Sequence, residues 1–340
     1  MEAIANENEL EERLSEPSGL DVEAAAALDG NVIVLGAGGK MGPSLVGRLA
    51  RAIQAAGKKH KVIAVLRQDA QGHFQRLGSG VEVIETDLLE PKNFDALPDA
   101  PNVIFMAGRK FGSTGDQPLT WATNAWMPGL AAHRFRSSRT IAFSTGNVYP
   151  FVATGSAGAN EETPPSPVGE YAQSALARER MFEYCSNRYH TPVLLFRLNY
   201  AIDLRYGVLL DIGEKVFRGE PVDVTTGYVN VIWQGDANSY CLRAFPLCGS
   251  PARILNVTGP ETTSVRDVAE RFGALWNKKP VFTGKEAATA LLSDSSRCTE
   301  LLGAVEVSVQ QMVEATAHWI ARGGATLGKP TKFERRDGAF

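Results

Sequence analysis

The sequence predicts an α/β protein, a doubly wound parallel sheet with a smaller C-terminal lobe, and two observations carry this prediction. Short runs of branched aliphatic residues, which suit strands buried on both faces, recur between segments with the 3.6-residue apolar period of helices. The first run, at residues 32–35, leads through a cluster of glycines into such a helical segment. A strand, a glycine-rich turn and a helix in this order are typical of the first unit of a doubly wound sheet.

The glycines of this turn recur at every third position, Gly36, Gly39 and Gly42, and Gly38, Lys40 and Met41 lie between them. In such a turn Gly36 permits the tight bend, Gly39 lets the main chain approach a pyrophosphate, and Gly42 lets the helix pack closely on the strand. The helix N-terminus then faces the anion. The turn therefore predicts a Rossmann-type dinucleotide site, with an ordinary glycine turn as the alternative.

This spacing resembles the G-x-x-G-x-x-G of short-chain dehydrogenases/reductases, in particular the extended branch of NAD-dependent epimerases and dehydratases. The resemblance covers roughly residues 31–275 and is strongest before residue 200. It implies an NAD(P)-dependent oxidoreductase or epimerase that acts on a hydroxyl or carbonyl carbon, with sugars and sugar derivatives among the candidate substrates. The alternative function is a regulator or scaffold that binds NADP(H) without turnover.

The composition excludes several other classes. The chain has 340 residues and a net charge of −3, which argues against nucleic-acid binding. Its apolar runs fall short of the roughly 20 residues that cross a bilayer, so no membrane partner is expected. The acidic N-terminus is opposite in sign to an export or transit signal, which favours a cytoplasmic location. The four scattered cysteines suggest no metal site, so the expected partner is a small-molecule substrate, with a homodimer left open.

The second and third strands carry the candidates for the adenosine half of the cofactor. Arg67 follows the strand at residues 61–66, where a carboxylate would suit a ribose hydroxyl and an arginine suits a 2′-phosphate. NADP is therefore favoured over NAD. Lys40 offers a second cation on the same side, with a solvated lysine as the equal alternative. Asp87 and Leu88, after the strand at 81–85, resemble the family's contact with adenine, although an Asp here also suits a cap.

Small residues, Ala107 and Gly108, end the fourth strand, and the resemblance implies that the backbone here approaches the cofactor ribose. Arg109 follows at the carboxyl edge of the sheet, where ligands bind, so it is a candidate for a phosphate or an acidic substrate. A solvated loop is the alternative for Arg109. Asn124 matches a family asparagine that braces the active-site backbone.

The chemistry is assigned by the same resemblance. Residues 140–149 look like the fifth strand and its Ser/Thr-rich end, which places Thr145 beside the reacting oxygen. Tyr171 opens the next long helix as the residue that exchanges the substrate proton and also contacts the cofactor. Asn147 and Asn199 are weaker candidates for substrate binding.

The family's Tyr-x-x-x-Lys signature is broken here, because Ala175 stands in the lysine position. A phenol has a reference pKa of about 10 and needs a nearby cation to work near neutrality. Arg178 shares the helix face of Tyr171, about 10 Å further along the axis. A surface ion pair on a charged helix is the favoured interpretation of Arg178.

The chain is accordingly divided into four segments. Residues 1–30 are an acidic helical extension, and residues 31–200 are the dinucleotide-binding domain, to which residues at about 225–260 return. Residues 201–326 form mainly a substrate-binding lobe. The polar tail at 327–340 is expected to be disordered unless it covers the active site or docks on a partner.

Overall fold

The computed structural model describes residues 3–69, 72–112 and 115–339, and its centre is a parallel sheet of seven strands. The strands are β1 (Val32–Leu35), β2 (Val62–Leu66), β3 (Val81–Glu85), β4 (Asn102–Phe105), β5 (Arg139–Thr145), β6 (Val193–Leu198) and β7 (Arg253–Val257). They pair in the order β7-β6-β5-β4-β1-β2-β3. The order reverses between β1 and β4, and in open α/β sheets ligands bind at the carboxyl edge beside such a switch point.

Helices surround the sheet and build the lobe that follows it. They are α1 (Glu7–Ser15), α2 (Gly19–Ala26), α3 (Gly42–Ala55), α4 (Pro91–Asp95), α5 (Gln117–Trp121), α6 (Met127–Arg134), α7 (Gly169–Tyr189), α8 (Val208–Arg218), α9 (Gln234–Arg243), α10 (Val265–Trp276), α11 (Ser296–Leu302) and α12 (Val309–Ala321). A π-helical turn, Ala122–Trp126, joins α5 to α6. Of the helices described, none is both long enough and apolar enough to cross a membrane.

The core has a layer on each face of the sheet. Alternate residues of β1 point to opposite sides, so Val32 and Val34 belong to the layer under α3 and α9, whereas Ile33 and Leu35 belong to the layer under α6 and α7. Both faces are covered by helices, which is why the central strands are mostly apolar, with β1 and β2 apolar throughout. The predicted doubly wound α/β fold is confirmed.

The N-terminal helices are docked on this core. Leu10 and Leu14, one turn apart on α1, are fully buried, and α1 and α2 pack against α3 and α9. Asp21 on α2 forms a buried ion pair with Arg48, at 2.6 Å, and accepts a hydrogen bond from Ser239. These contacts fix the acidic extension to the face opposite α6 and α7.

A second apolar cluster forms the C-terminal lobe, where α8, α10 and α12 pack together around side chains such as Ile212 and Phe272. The tail closes over this lobe. Phe333 is 4% exposed, and the Thr331 amide donates a hydrogen bond to the Asp211 carboxylate at 2.8 Å. The tail is therefore an ordered cover, and the expectation of disorder is wrong for its described residues.

Candidate cofactor and catalytic site

The glycine turn between β1 and α3 contains glycines that the fold itself requires. Gly36 has φ +88°, and a Cβ there would lie 2.5 Å from the backbone of Ala107. A Cβ on Gly42 would lie 1.7 Å from the carbonyl oxygen of Ala37. Neither position accepts a side chain, because β4 and the turn approach too closely.

Gly39 differs from these two. It is exposed, its φ is outside the left-handed region, and the protein atom nearest to an added Cβ would be the Gly36 carbonyl oxygen at 3.7 Å. The packing of the chain therefore leaves room for a side chain at position 39. The fold therefore does not explain a glycine at position 39, whereas the close approach of a ligand to the main chain does.

The N-terminus of α3 completes an anion site. The N-cap residue, Met41, makes no side-chain capping hydrogen bond, and Gly38 beside it is exposed. The first N–H groups of a helix have no partner within the helix, and its dipole places positive charge there. Here the Gly42 amide donates to the Gly39 carbonyl and Pro43 has no N–H, so the helix dipole is the main attraction that this terminus offers a diphosphate.

The residues predicted for the adenosine half lie beyond β2 and β3. Arg67 is exposed directly after β2. Asp87 is exposed, and its Oδ1 accepts a hydrogen bond from the Leu89 amide at 2.9 Å, while Leu88 is buried. One carboxylate oxygen of Asp87 thus stabilises its own loop, but Asp87 is not the helix cap of the alternative interpretation, since the N-cap of α4 is Glu90.

Lys40 points elsewhere. Its ammonium donates a hydrogen bond to the Ala201 carbonyl at 2.8 Å and lies 4.7 Å from the centre of the Tyr206 ring. Ala201 follows β6, which is four strand positions from β2. The structure therefore separates Lys40 from Arg67 and contradicts the prediction of a second cation on that side.

The end of β4 is held by a buried asparagine. Asn124 lies in the π-helical turn, and its side chain binds both the amide and the carbonyl of Arg109, each at 2.8 Å. Single π-helical turns often mark functional positions. The brace that the resemblance implies for Asn124 is present, and it fixes the backbone that follows Ala107 and Gly108.

Arg178 lies behind this loop and not on the surface. It is 6% exposed, and its guanidinium donates to the Phe143 carbonyl and to Asn124 Oδ1, both at 2.9 Å. A Cβ on Gly108 would lie 2.5 Å from Arg178 Nη2, so glycine makes room for this guanidinium. The predicted surface ion pair is wrong, because the helix face shared with Tyr171 turns into the sheet edge. Burial lowers the pKa of Arg178, against the opposite effects of Tyr171 and Glu179.

The two predicted catalytic residues stand on elements that pack together. Tyr171 is partly buried in the first turn of α7, which packs against β5 and the turn that follows it. Thr145 ends β5, and its hydroxyl donates a hydrogen bond to Asn147 Oδ1 at 3.0 Å. Ala175 is fully buried in an apolar cluster with Val148. The position of the family lysine is thus part of the core.

The structure places the predicted substrate-binding residues in different surroundings. Asn199 is 2% exposed, packs against Gly146, and has an Nδ2 without a hydrogen-bond partner among the described residues. Asn147 lines a cleft whose far wall is the tail, including Lys332 and Phe333. Asn147 borders a cavity, whereas the Asn199 amide is enclosed, and the role of both in substrate binding stays a prediction.

Arg109 is turned away from that cleft. Its guanidinium lies 3.6 Å from the Asp116 carboxylate and donates to the Gly112 carbonyl. The side chain therefore stabilises its own loop, and a contact of Arg109 with substrate stays a prediction.

Lys110, the next residue, shares the sequence interpretation of Arg109, a cation for a phosphate or an acidic substrate with a solvated loop as the alternative; a role beside Tyr171 was not predicted. Its ammonium lies 5.9 Å from the centre of the Tyr171 ring. Desolvation lowers the pKa of Lys110 to about 8, an effect opposed by Asp211 and increased by Lys332 and Lys40. The only sequence signal was its position at the carboxyl edge of the sheet, which it shares with Arg109.

A buried polar network lies beneath the site, and the sequence analysis did not find it. Arg197 on β6 is 1% exposed and donates to both carboxylate oxygens of Glu179 on α7, at 2.9 and 2.7 Å. It also donates to the hydroxyl of Tyr149, which in turn donates to Asn256 on β7. The network joins α7, β6, β7 and the turn after β5. An arginine inside an otherwise apolar strand was the available signal.

Solved structures with the same fold include several sugar-nucleotide enzymes. UDP-glucuronic acid 4-epimerase from Bacillus cereus has a TM-score of 0.72 and 18% identity, over 86% of this chain and 96% of its own. MoeE5 has a TM-score of 0.67 and 21% identity, over 86% of this chain and 100% of its own. UDP-glucose 4-epimerase from the hyperthermophilic eubacterium Thermotoga maritima has a TM-score of 0.67 and 18% identity, over 86% and 99%. At these identities the likeness establishes the fold.

Sequence comparison identifies the family. No curated protein sequence matches the chain. The model of the NAD dependent epimerase/dehydratase family matches residues 32–201, half of the 340 residues. The matched range runs from β1, through the glycine turn and Tyr171, to the residues just beyond β6. The chain therefore belongs to the NAD dependent epimerase/dehydratase family, as its sequence predicted.

Proposed function

We propose that this protein is an NAD(P)-dependent oxidoreductase or epimerase that acts on a hydroxyl or carbonyl carbon of a sugar, with a nucleotide sugar as the preferred class. The observation that carries the proposal is Gly39, which the packing of the chain does not require and which a diphosphate does. The structures of MoeE5 and the Bacillus cereus epimerase hold NAD, and those of MoeE5 and the Thermotoga maritima enzyme hold UDP-sugars. Membership of an enzyme family favours this function over a non-catalytic regulator.

In this proposal, the residues along the carboxyl edge of the sheet have separate roles. The glycine turn and the N-terminus of α3 hold the diphosphate, and Ala107 and Gly108 let the ribose approach. A bound nicotinamide would supply hydride exchange with the substrate carbon. The Tyr171 hydroxyl takes and returns the proton of the substrate oxygen, and Thr145 orients that oxygen by a hydrogen bond.

We also infer that the substrate lies between the turn after β5 and the tail. Asn147 and Tyr200 form one wall of this cleft, and Lys332 and Arg336 are on the other. Asn199 offers a buried amide N–H group that lacks a partner in the described structure. These groups favour a polar, negatively charged substrate, and because the cavity between them holds only about 20 Å³, the tail must shift to admit a sugar nucleotide.

NADP is the favoured cofactor in this proposal. Arg67 is exposed at the end of β2, where the ribose of the adenosine is expected. The nearest acidic residue in sequence, Asp69, accepts hydrogen bonds from the amides of His73 and Phe74. The exposed Glu85, at the end of β3, accepts a hydrogen bond from the Asp69 amide, so the preference for a 2′-phosphate rests on the position of Arg67. Parallel titrations with NADP and NAD test this preference, and tighter binding of NAD would contradict it.

The test of function is turnover of a panel of UDP-sugars, followed by chromatography for epimers and by the absorbance of reduced nicotinamide. Tyr171→Phe should lower the turnover about 10²- to 10⁴-fold while cofactor affinity is kept. Tyr184→Phe is the matched control, because Tyr184 is on the same helix and is 61% exposed. Cofactor binding without turnover of any substrate would favour the regulator, and an active Tyr171→Phe variant would remove the assigned proton carrier.

A further inference from the structure

We propose that Lys110 supplies the cation that the Tyr171 phenol requires, in place of the lysine that Ala175 replaces. This inference rests on the proposed function, since it gives Lys110 a role in the same proton exchange.

The requirement follows from the chemistry of a phenol. Its reference pKa is about 10, and partial burial raises that value further unless a cation stabilises the phenolate. Ala175 has no charge, and its side chain is enclosed in an apolar cluster with Val148 and Tyr149. The cation must therefore reach Tyr171 from another position.

Arg178, on the same helix, is the competing source of charge. Its two terminal nitrogens donate to the Phe143 carbonyl and to Asn124 Oδ1, on the sheet side of α7. These bonds orient the guanidinium toward the sheet edge. Arg178 fixes the loop after β4 through Asn124 and also interacts electrostatically with Tyr171, so its charge adds to that of Lys110.

Two further charged residues are directed to other partners. The carboxylate of Glu170, next to Tyr171, accepts a hydrogen bond from the Trp121 indole on α5. The ammonium of Lys40 is bonded to the Ala201 carbonyl. Both groups belong to the surroundings of the phenol, and neither is aimed at it.

Lys110 lies over the face of the Tyr171 ring, within the range of a cation–π contact. Its ammonium lies 5.9 Å from the centre of the Tyr171 ring and 5.7 Å from that of Phe111. The residue before it is held by two backbone hydrogen bonds to Asn124, so the loop presents Lys110 from a fixed backbone. Asp211 on α8, Lys332 on the tail and Lys40 are the other charged groups that act on it.

The surroundings of Lys110 make it an effective partner for a phenolate. Burial lowers the pKa of its ammonium to about 8, so the cation is the main form at neutral pH and is poorly solvated. A poorly solvated cation gains more from an adjacent anion than one in water does.

The test measures the ionisation of Tyr171 directly, in the full chain and without substrate. Tyrosine is labelled with ¹³C at Cζ, and the Tyr171 signal is identified by its loss in Tyr171→Phe. Lys110→Met should raise the midpoint of this signal by about one pH unit or more. Lys110→Arg should keep the midpoint near that of the wild type, because it keeps the charge.

Arg109→Met is the matched control, since it removes one cation from the same loop at a side chain paired with Asp116. Its midpoint should equal that of the wild type. An unmoved midpoint in Lys110→Met would overturn the proposal, as would an equal shift in Lys110→Arg. Titration of the same variants with NADP and NAD separates the role of Lys110 from the proposed function of the protein. Intact cofactor binding with an unmoved midpoint refutes only the role of Lys110, whereas absence of binding in the wild type refutes the proposed function.

Discussion

Replacement of Gly39 by alanine distinguishes the requirements of folding stability from those of cofactor binding. The added methyl group would meet only the Gly36 carbonyl oxygen, at 3.7 Å, which is an ordinary van der Waals distance. The backbone at Gly39 is outside the left-handed region, so alanine adds no strain there. The free energy of unfolding should therefore change by no more than about 0.5 kcal/mol.

Cofactor binding should respond far more strongly. A diphosphate oxygen bound to the main chain lies about 2.9 Å from the N–H nitrogen, and a methyl group at position 39 would occupy that approach. A hydrogen bond to a charged group contributes about 1.5–3 kcal/mol. Loss of one such bond weakens binding about 10- to 150-fold.

Two glycine variants serve as controls for this measurement. A Cβ on Gly19 has no atom within 4 Å, so Gly19→Ala should retain both stability and affinity. Gly42→Ala should lose stability, because its Cβ would lie 1.7 Å from the Ala37 carbonyl oxygen. Calorimetric titration with NADP and thermal unfolding supply the two readouts. Wild-type affinity in Gly39→Ala would refute the placement of the diphosphate.

Two further predictions concern buried charges. Glu179→Gln should lower the free energy of unfolding by about 3–5 kcal/mol in denaturant titrations, because it leaves Arg197 buried without its anion; a loss below about 1 kcal/mol would contradict this. Asp236→Asn should stabilise the protein at neutral pH, since burial raises the pKa of Asp236 from 3.8 to about 6. The ionisation penalty of the wild type is absent below pH 3.8 and complete above about pH 6, so the advantage of the variant should grow across that window to at most about 3 kcal/mol. If the stabilities of the wild type and of Asp236→Asn changed with pH in parallel, burial would not have raised the pKa of Asp236.

The parts of the molecule that the sequence predicted depend on local rules. The apolar strands, the glycine turn and the placement of Arg67 after β2 follow from residues that are neighbours in the chain. Thr145 and Tyr171 were selected by their order relative to the strands. Local patterns therefore determined the layout of the sheet edge.

The errors concern side chains whose partners are distant in sequence. Lys40 is bonded to Ala201, and the helical period placed Arg178 on the face of Tyr171 without showing that this face packs on the sheet. The tail reads as polar, yet it is ordered by Asp211 and by burial of Phe333. Each outcome depends on tertiary contacts, which periodicity does not encode.

The network around Asn124 explains how the site keeps its geometry without the family lysine. Asn124 uses all four of its hydrogen-bonding positions, two on the Arg109 backbone, one on the Arg178 guanidinium and one on the Ser174 hydroxyl. Ser174 in turn donates to the Tyr171 carbonyl. The loop that carries Lys110 and the helix turn that carries Tyr171 are thus joined through one side chain. Because this link is made of directional bonds, it fixes the loop backbone relative to the first turn of α7, and a lysine at position 178 could not reproduce the two bonds that Arg178 makes.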